Sequence, residues 1–321
     1  MKESLNAVFE WQPSAQTHNL GDHLVQLLGP RCFTHSAWQR LQSDTEHLYI
    51  LIGSFICDYN LSRVVDAGRK PVLVGAGYRG EIVSGALIDQ SIFVACRGRH
   101  THELLRQHRL NVPVIGDPAV VLPILVPRRR RLRRPSLLVP HIGDPQRTQY
   151  VPGEHGCDAL VQAETRDTDD LIRLIRDISS ARFVLAGAMH AAIIAYAYGV
   201  PFAFFRPASG YLDCPYKWED WLTSISETMI PVHFVEHLAD GQAWFDRYCA
   251  SLPAPRMVPV LSAYGRLGDL RPWLALRAAL HDAWANFREL YQGARGLSGG
   301  ETDVIEQAAS TRGGIRMRDR L

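Results

Sequence analysis

Lysine is nearly missing from this 321-residue chain, which holds only Lys2, Lys70 and Lys217 against a large surplus of arginine. The arginine bias runs through the whole sequence, so it reflects coding composition and marks no phosphate-binding specialisation by itself. A formal net charge of +2 gives no global pull toward nucleic acid. Cysteine pairs are also missing. Cys32, Cys57, Cys96, Cys157, Cys214 and Cys249 stand singly, without a C-x-x-C, which argues against a zinc knuckle and a disulfide framework. The start, "MKESLNAVFEWQ", lacks a basic segment followed by an apolar one, so no secretory leader is expected. A cytoplasmic, reduced protein is the simplest expectation. There is no G-x-x-x-x-G-K-[ST] loop either, and "LSGGE" at 297–301 is therefore a chance likeness to a transporter ATPase signature.

What is present is an ordinary globular balance, 46% apolar and 21% charged, on a chain long enough for two cores. Short runs rich in Val, Ile and Leu recur: "LYILIGSFI" (48–56), "KPVLVGAGY" (70–78), "SIFVACRG" (91–98) and "VPVIGDP" (112–118). Runs apolar on both faces suit parallel strands covered by helices, and "HTHELLRQHRL" (100–110) is long enough for a crossover helix. Residues 1–125 are thus expected to form an α/β domain. "VPRRRRLRRP" (126–135) resists packing and reads as a linker over 126–136, with attachment to an anionic membrane surface as the functional alternative. The alternation then restarts: strand at 136–143, amphipathic helix at 168–179, strand at 182–187, helix at 188–199, strand at 200–205, and a long helix at 270–292. A second α/β domain is expected over 137–293. Residues 294–321, rich in glycine and charge, are expected to be disordered.

"VLAGAMHAAIIAYAYGVPFAFF" (184–205) holds His190 in the most apolar stretch of the chain. Membrane span, buried core helix and active-site helix start compete for it. The stretch is long enough to span a bilayer, but Gly199-Val200-Pro201 punctuates a helix and opens a new strand. What remains is a strand, a turn around Gly187, and a helix with His190 in its first turn. In open α/β sheets ligands bind at the carboxyl ends of strands, where helix amides point outward. His190 is there either a satisfied core histidine or a group that meets an anion.

Other motifs fall at similar places. "HNLGDHL" (18–24) reads as a turn shaped by Asn19 and Gly21, with Asp22 as helix cap or as a working carboxylate. Arg97 in "CRGRHTHELL" follows a strand and precedes a helix. Asp117 in "GDP" ends a strand, and His141 in "VPHIGDP" ends the first strand of the second half.

Taken in order, these motifs resemble the polysaccharide pyruvyl transferase family. The likeness covers about residues 9–222: "FEWQP…HNLGDHL", "VACRGRHTHELL", "VPVIGDPAVVLP", "LLVPHIGDP", "RFVLAGAMHAAIIAYAYGVP" and, more weakly, "YKWEDWL". It implies two Rossmann-like domains facing a cleft, as in GT-B glycosyltransferases, with the acceptor on the N-terminal side and the donor on the C-terminal side. It implies transfer of pyruvate from phosphoenolpyruvate to a sugar of an exopolysaccharide or its lipid-linked precursor, giving a pyruvate ketal without metal or other cofactor. His190 or His141 would then protonate the donor methylene, and Asp22 would accept the sugar hydroxyl's proton. Asn19, Gly21, Arg97, Asp117 and Arg206 would line the substrates. The family's Arg-Leu-His signature reads Ala188-Met189-His190 here, so the anion-clamping arginine must be replaced, with Arg97, Arg182 and Arg206 as candidates.

Two other readings stand beside this one. A nucleotide-sugar glycosyltransferase would use a pair of glutamates with seven residues between them, the spacing of Glu219 and Glu227. A sugar- or nucleotide-binding relative without turnover would tolerate Ala188.

Overall fold

The structure, a computed structural model, describes residues 7–10, 14, 16–129 and 134–295. The expected disordered tail therefore lies outside the described residues from 296 onward, as do residues 130–133 of the arginine segment. The chain opens with β1 (His18–Asn19), α1 (Leu20–His23), α2 (Val25–Cys32) and α3 (His35–Ser43). Strand and helix then alternate through β2 (His47–Ile50), α4 (Asp58–Asp66), β3 (Lys70–Ala76), α5 (Gly85–Asp89), β4 (Ile92–Cys96) and α6 (Arg99–Gln107). A single turn, α7 (Leu122–Leu125), precedes the arginine segment. β2, β3 and β4 form a parallel sheet in that order. Central β3 buries every residue from Pro71 to Ala76, which is why its sequence shows no alternation.

The second half contributes β5 (Ser136–Val139), β6 (Ala159–Leu160), β7 (Glu164–Thr165), α8 (Thr168–Ser179), β8 (Phe183–Ala186), α9 (Met189–Ala197) and β9 (Phe202–Phe205). It continues with α10 (Pro215–Ile225), β10 (Phe234–Val235), α11 (Leu238–Tyr248), α12 (Val258–Gly265) and α13 (Pro272–Arg295). Five of its strands make a parallel sheet ordered β10-β9-β8-β5-β6. Two features tie the halves together. β1 pairs antiparallel with β7, and the segment after α11 returns to the first sheet. There the Tyr264 hydroxyl donates to the Leu51 carbonyl at 2.9 Å and Arg266 Nη1 to the Val94 carbonyl at 3.1 Å.

Most expected elements lie where the spacing placed them. α8 occupies Thr168–Ser179, capped by Asp167, whose carboxylate accepts from the Asp170 amide. One does not form. Segment 112–118 is not a strand; only Val114 bridges to Cys96. Pro113 has no N–H to donate and Gly116 sits at φ +78°, so pairing is confined to three backbone hydrogen bonds with Cys96 and Arg97.

The apolar stretch 184–205 is core. All nine residues of α9 are buried, because the helix lies between its own sheet, α8 and the Pro118–Val121 turn and has no solvent face. Gly199, at φ +62°, ends the turn that leads into β9. Among the described residues no helix is long and apolar enough to cross a membrane.

Directly after β4 sits Arg97, fully buried. Its Nη1 donates to Ser54 Oγ at 2.8 Å, its Nη2 to the Lys217 carbonyl at 3.2 Å, and its Nε to Asp220 Oδ2 at 3.4 Å. Asp117 Oδ2 lies 4.0 Å from Nη1. Asp220 also accepts from the Thr101 amide and hydroxyl, both at 2.9 Å, so α6 and α10 are clamped together. Gly77 has to be glycine here, because a Cβ would overlap the guanidinium. Removing one partner of a buried charge cluster costs about 3–5 kcal/mol. Arg97→Met should therefore lower unfolding free energy by about that amount in urea titration. A loss within error of a surface substitution would remove Arg97 from this structural role.

Candidate functional site

The carboxyl ends of both parallel sheets open onto one cleft of about 410 Å³. Gly53, Ser54 and Phe55 follow β2, Arg79 follows β3, His141 follows β5, His190 follows β8, and Tyr211 and Asp213 follow β9. That convergence is the expected place for a ligand in open α/β sheets. Asn19 and Asp22 enter from α1, Lys217 from α10, and Phe9 and Tyr59 complete an aromatic wall.

Asp22 does not cap a helix, contrary to one of the readings of its motif. α1 starts two residues earlier, with Asn19 at the cap position, and Asp22 is held by Asn19 Nδ2 at 2.5 Å. Burial pushes its carboxyl above the usual range, partly opposed by Asn19, His190 and Lys217. A carboxylate so placed is a stronger proton acceptor than one in water.

His190 is the second residue of α9 and nearly buried. Its Nε2 faces Asp117 Oδ2 at 3.6 Å, longer than a hydrogen bond, and neither atom has a hydrogen-bond partner. Asp117 is fully buried behind the ring, with its other oxygen on the Ala119 amide at 3.0 Å. Burial raises its pKa, but His190, Arg97 and that amide outweigh burial, and the carboxyl lies below its ordinary value. The opposite edge of the imidazole rests on Gly21, where a Cβ would overlap Nδ1. His190 thus stands between an ionised carboxylate behind it and Asp22 in the cleft.

Asp213 gathers hydrogen-bond donors at the other wall. His141 Nε2 lies 3.1 Å from its Oδ2, Lys217 Nζ pairs with the same oxygen, and Arg79 Nη2 is 3.8 Å from Oδ1. Burial raises the Asp213 pKa, but His141 and Lys217 outweigh it and hold the carboxyl well below its ordinary range. Burial lowers the Lys217 pKa, against the pull of Asp213. His141 also stacks on Tyr211 and accepts from the Gly143 amide at Nδ1.

Of the residues expected from sequence, Asn19, Asp22, His141 and His190 line the cleft, while Gly21 and Asp117 back His190. Arg97 lies behind the wall, and Arg206 is exposed but does not line the cleft, its amide on the Val235 carbonyl. Arg182 pairs with Asp158 beside the amino end of β8, the end away from the cleft. None of the three is among the residues that line the cleft. The cations that do face the cleft, Arg79 and Lys217, were missed, as was Asp213. Lys217 had a usable signal. It lies four residues before Trp221, on the packed side of α10, where a lysine is rarely free of a function or a partner.

Glu219 and Glu227, the spacing that favoured a nucleotide-sugar donor, line a separate depression with Arg99 and His100 that shares no residue with the cleft. Glu10, His18 and His23 bring three potential metal ligands within 4.8 Å of one another. The two imidazoles are stacked at 4.0 Å and 12°, so their in-plane lone pairs run side by side. His23 Nδ1 is on Thr165 Oγ1 at 2.6 Å and His18 Nδ1 on Glu10 Oε1 at 2.5 Å. A shared ion requires one ring to turn out of the stack.

A family model described as polysaccharide pyruvyl transferase matches residues 19–209, from Asn19 through the end of β9 and into the loop beyond. No curated protein and no solved structure matches the chain.

Because His190 occupies the space a side chain at 21 would need, Gly21→Ala should push the imidazole out of line with Asp117. Turnover should fall about a hundredfold, the scale of a lost acid–base group, with only a modest loss of melting temperature. A variant that melts as wild type and turns over as wild type would show that the ring need not sit there.

Proposed function

The chain belongs to the polysaccharide pyruvyl transferase family, and from that premise we propose that it moves pyruvate from phosphoenolpyruvate to a sugar of an exopolysaccharide or its lipid-linked precursor, forming a ketal. The observation that carries the reading is the polarity of the cleft: His190 backed by Asp117, Asp22 with a raised pKa beside it, and the cations Lys217 and Arg79 on Asp213 opposite. Two Rossmann-like domains in a GT-B arrangement would supply these walls, residues 1–125 on the acceptor side and 137–293 on the donor side. Residues 126–136 would join them.

In this proposal Lys217 and Arg79, with His141 beside them, receive the phosphate and carboxylate of the donor, and the two cations take over the charge that Ala188 does not provide. Protonated His190 delivers its proton to the donor methylene carbon, making a methyl group and an electrophilic C2. Asp117 stabilises the imidazolium from behind. The first sugar hydroxyl attacks C2 and loses its proton to Asp22. The C2–O bond to phosphate then breaks as the second hydroxyl attacks. Of the two hydroxyl protons, one balances the new methyl group and one leaves with phosphate, so the products are the ketal and inorganic phosphate. These steps draw on no metal or other cofactor. Phe9, Phe55 and Tyr59 offer the sugar an apolar platform. A cytoplasmic location, where phosphoenolpyruvate is made, and an acceptor presented at the membrane fit this chemistry.

The test is phosphate release and acid-labile pyruvate on polysaccharide from a host deleted for this gene, with phosphoenolpyruvate or nucleotide sugars as donor. Phosphoenolpyruvate should be consumed and nucleotide sugars should not; the reverse sinks the proposal. His190→Ala should abolish turnover, and His190→Gln should keep donor binding without turnover. If both variants are destabilised yet still transfer pyruvate, His190 is only a core residue.

Asp22→Asn separates chemistry from folding. A raised carboxyl pKa means the fold favours the protonated form, so the buried charge costs stability as pH rises through that pKa. Asn removes that cost. The variant should melt at or above wild type at pH 7, with the difference shrinking as pH falls, while turnover drops about a hundredfold or more. A marked fall in melting temperature at pH 7 with activity kept would show the opposite sign.

A further inference from the structure

α13 carries an apolar face that no described part of the fold covers. Its inward side is narrow: Leu274, Ala278 and Ala285 are buried. Its acids also turn inward. Asp282 accepts from the Met257 and Val258 amides, and Glu289 pairs with Arg256. At about 100° per residue, five large side chains project from the opposite side. Exposure is 39% at Trp273, 64% at Leu276, 62% at Leu280, 51% at Trp284 and 54% at Phe287. They follow one stripe about 21 Å long at 1.5 Å per residue. Trp284 and Phe287 stack on each other at 5.6 Å. Single exposed leucines need no explanation, but a continuous stripe of this kind marks a surface that leaves water.

The surrounding charges say what it meets. Arg277 and Arg288 are exposed on α13, whose acids are engaged elsewhere. Arg277 lies over the Trp273 ring at 4.9 Å and donates to the Ile124 carbonyl of α7. That contact brings the start of the arginine segment beside the helix, with Arg128 and Arg129 exposed. A two-fold partner would set the same cationic flank against itself, whereas an anionic lipid surface neutralises it. We propose that α13 docks the protein on an anionic membrane, its aromatic and leucine stripe entering the headgroup layer and Arg277 and Arg288 facing lipid phosphates. Apolar insertion and a basic flank together give stable peripheral binding, where either alone is marginal. The docking deepens the reading of a lipid-borne acceptor, yet it is measured without that acceptor.

The experiment uses the full chain with phosphatidylcholine vesicles, with and without phosphatidylglycerol. Sedimentation should show at least about tenfold stronger binding to the anionic vesicles, weakening with salt. A Leu280→Ser, Trp284→Ser, Phe287→Ser variant should lose about tenfold in binding while melting like wild type. Arg277→Gln with Arg288→Gln should flatten the salt dependence. Brominated lipid should quench wild-type tryptophan fluorescence, and Trp273→Phe with Trp284→Phe should remove that quenching. Equal binding to neutral vesicles, or a triple-serine variant that binds like wild type, overturns the proposal. So does a wild-type dimer that the triple variant dissociates, which assigns the stripe to a second copy. Turnover on a water-soluble acceptor should not change in the triple variant. Vesicle binding without any pyruvyl transfer would sink the catalytic reading and leave the docking intact.

Discussion

The buried guanidinium of Arg97 joins parts of the chain that lie far apart in sequence. Arg97 faces Asp220 on α10 and Asp117 ahead of the Pro118–Val121 turn, so two elements distant in sequence share its one charge. An isolated buried charge of either sign costs several kcal/mol, and none of the three tolerates loss of the others. The same constraint reaches the cleft. Asp117 is held below its ordinary value by His190, Arg97 and the Ala119 amide together, and its free oxygen is the one that faces His190. The ion cluster and the imidazole therefore adjoin through one carboxylate. Asp117, which backs the ring of His190, is itself fully buried.

The two carboxylates beside His190 are driven apart in character by their surroundings. Asp117 has cations and an amide and is depressed; Asp22 has mainly burial and is raised. Environments that separate the pKa values of neighbouring acids are the usual basis for dividing proton-donating and proton-accepting roles within one site. His190 lies between them. Gly21 makes that placement possible by offering no side chain where the ring rests.

The sheets, α8 and α9 were legible because apolar periodicity and glycine or proline punctuation are local signals. The position of His190 in a first turn was legible for the same reason: a strand, a glycine and a helix start are adjacent in the chain. What sequence could not show is which charges meet. Arg97 looked like an anion ligand because it follows a strand, yet Asp220, 123 residues away, claims it inside the wall. Segment 112–118 looked like a strand because its apolar content outweighed Pro113 and Gly116 in the reading, whereas backbone hydrogen bonding decided otherwise. Arg79, Asp213 and Lys217 reach the cleft only through tertiary folding, and the last two fall beyond the family match that ends at residue 209.

The scarcity of lysine then gains meaning. In a chain that places arginine wherever a cation is needed, Lys217 is a buried ammonium on α10. An arginine there would bring a broad planar fork that cannot lose its proton. An ammonium is compact and responds to burial, and Lys217 is indeed shifted below its ordinary value. It shares Asp213 with His141, so an anion drawn to Lys217 would compete with a carboxylate that both residues already hold. A cation whose charge depends on its partner is suited to binding and releasing an anion, because the affinity it lends falls when the carboxylate returns.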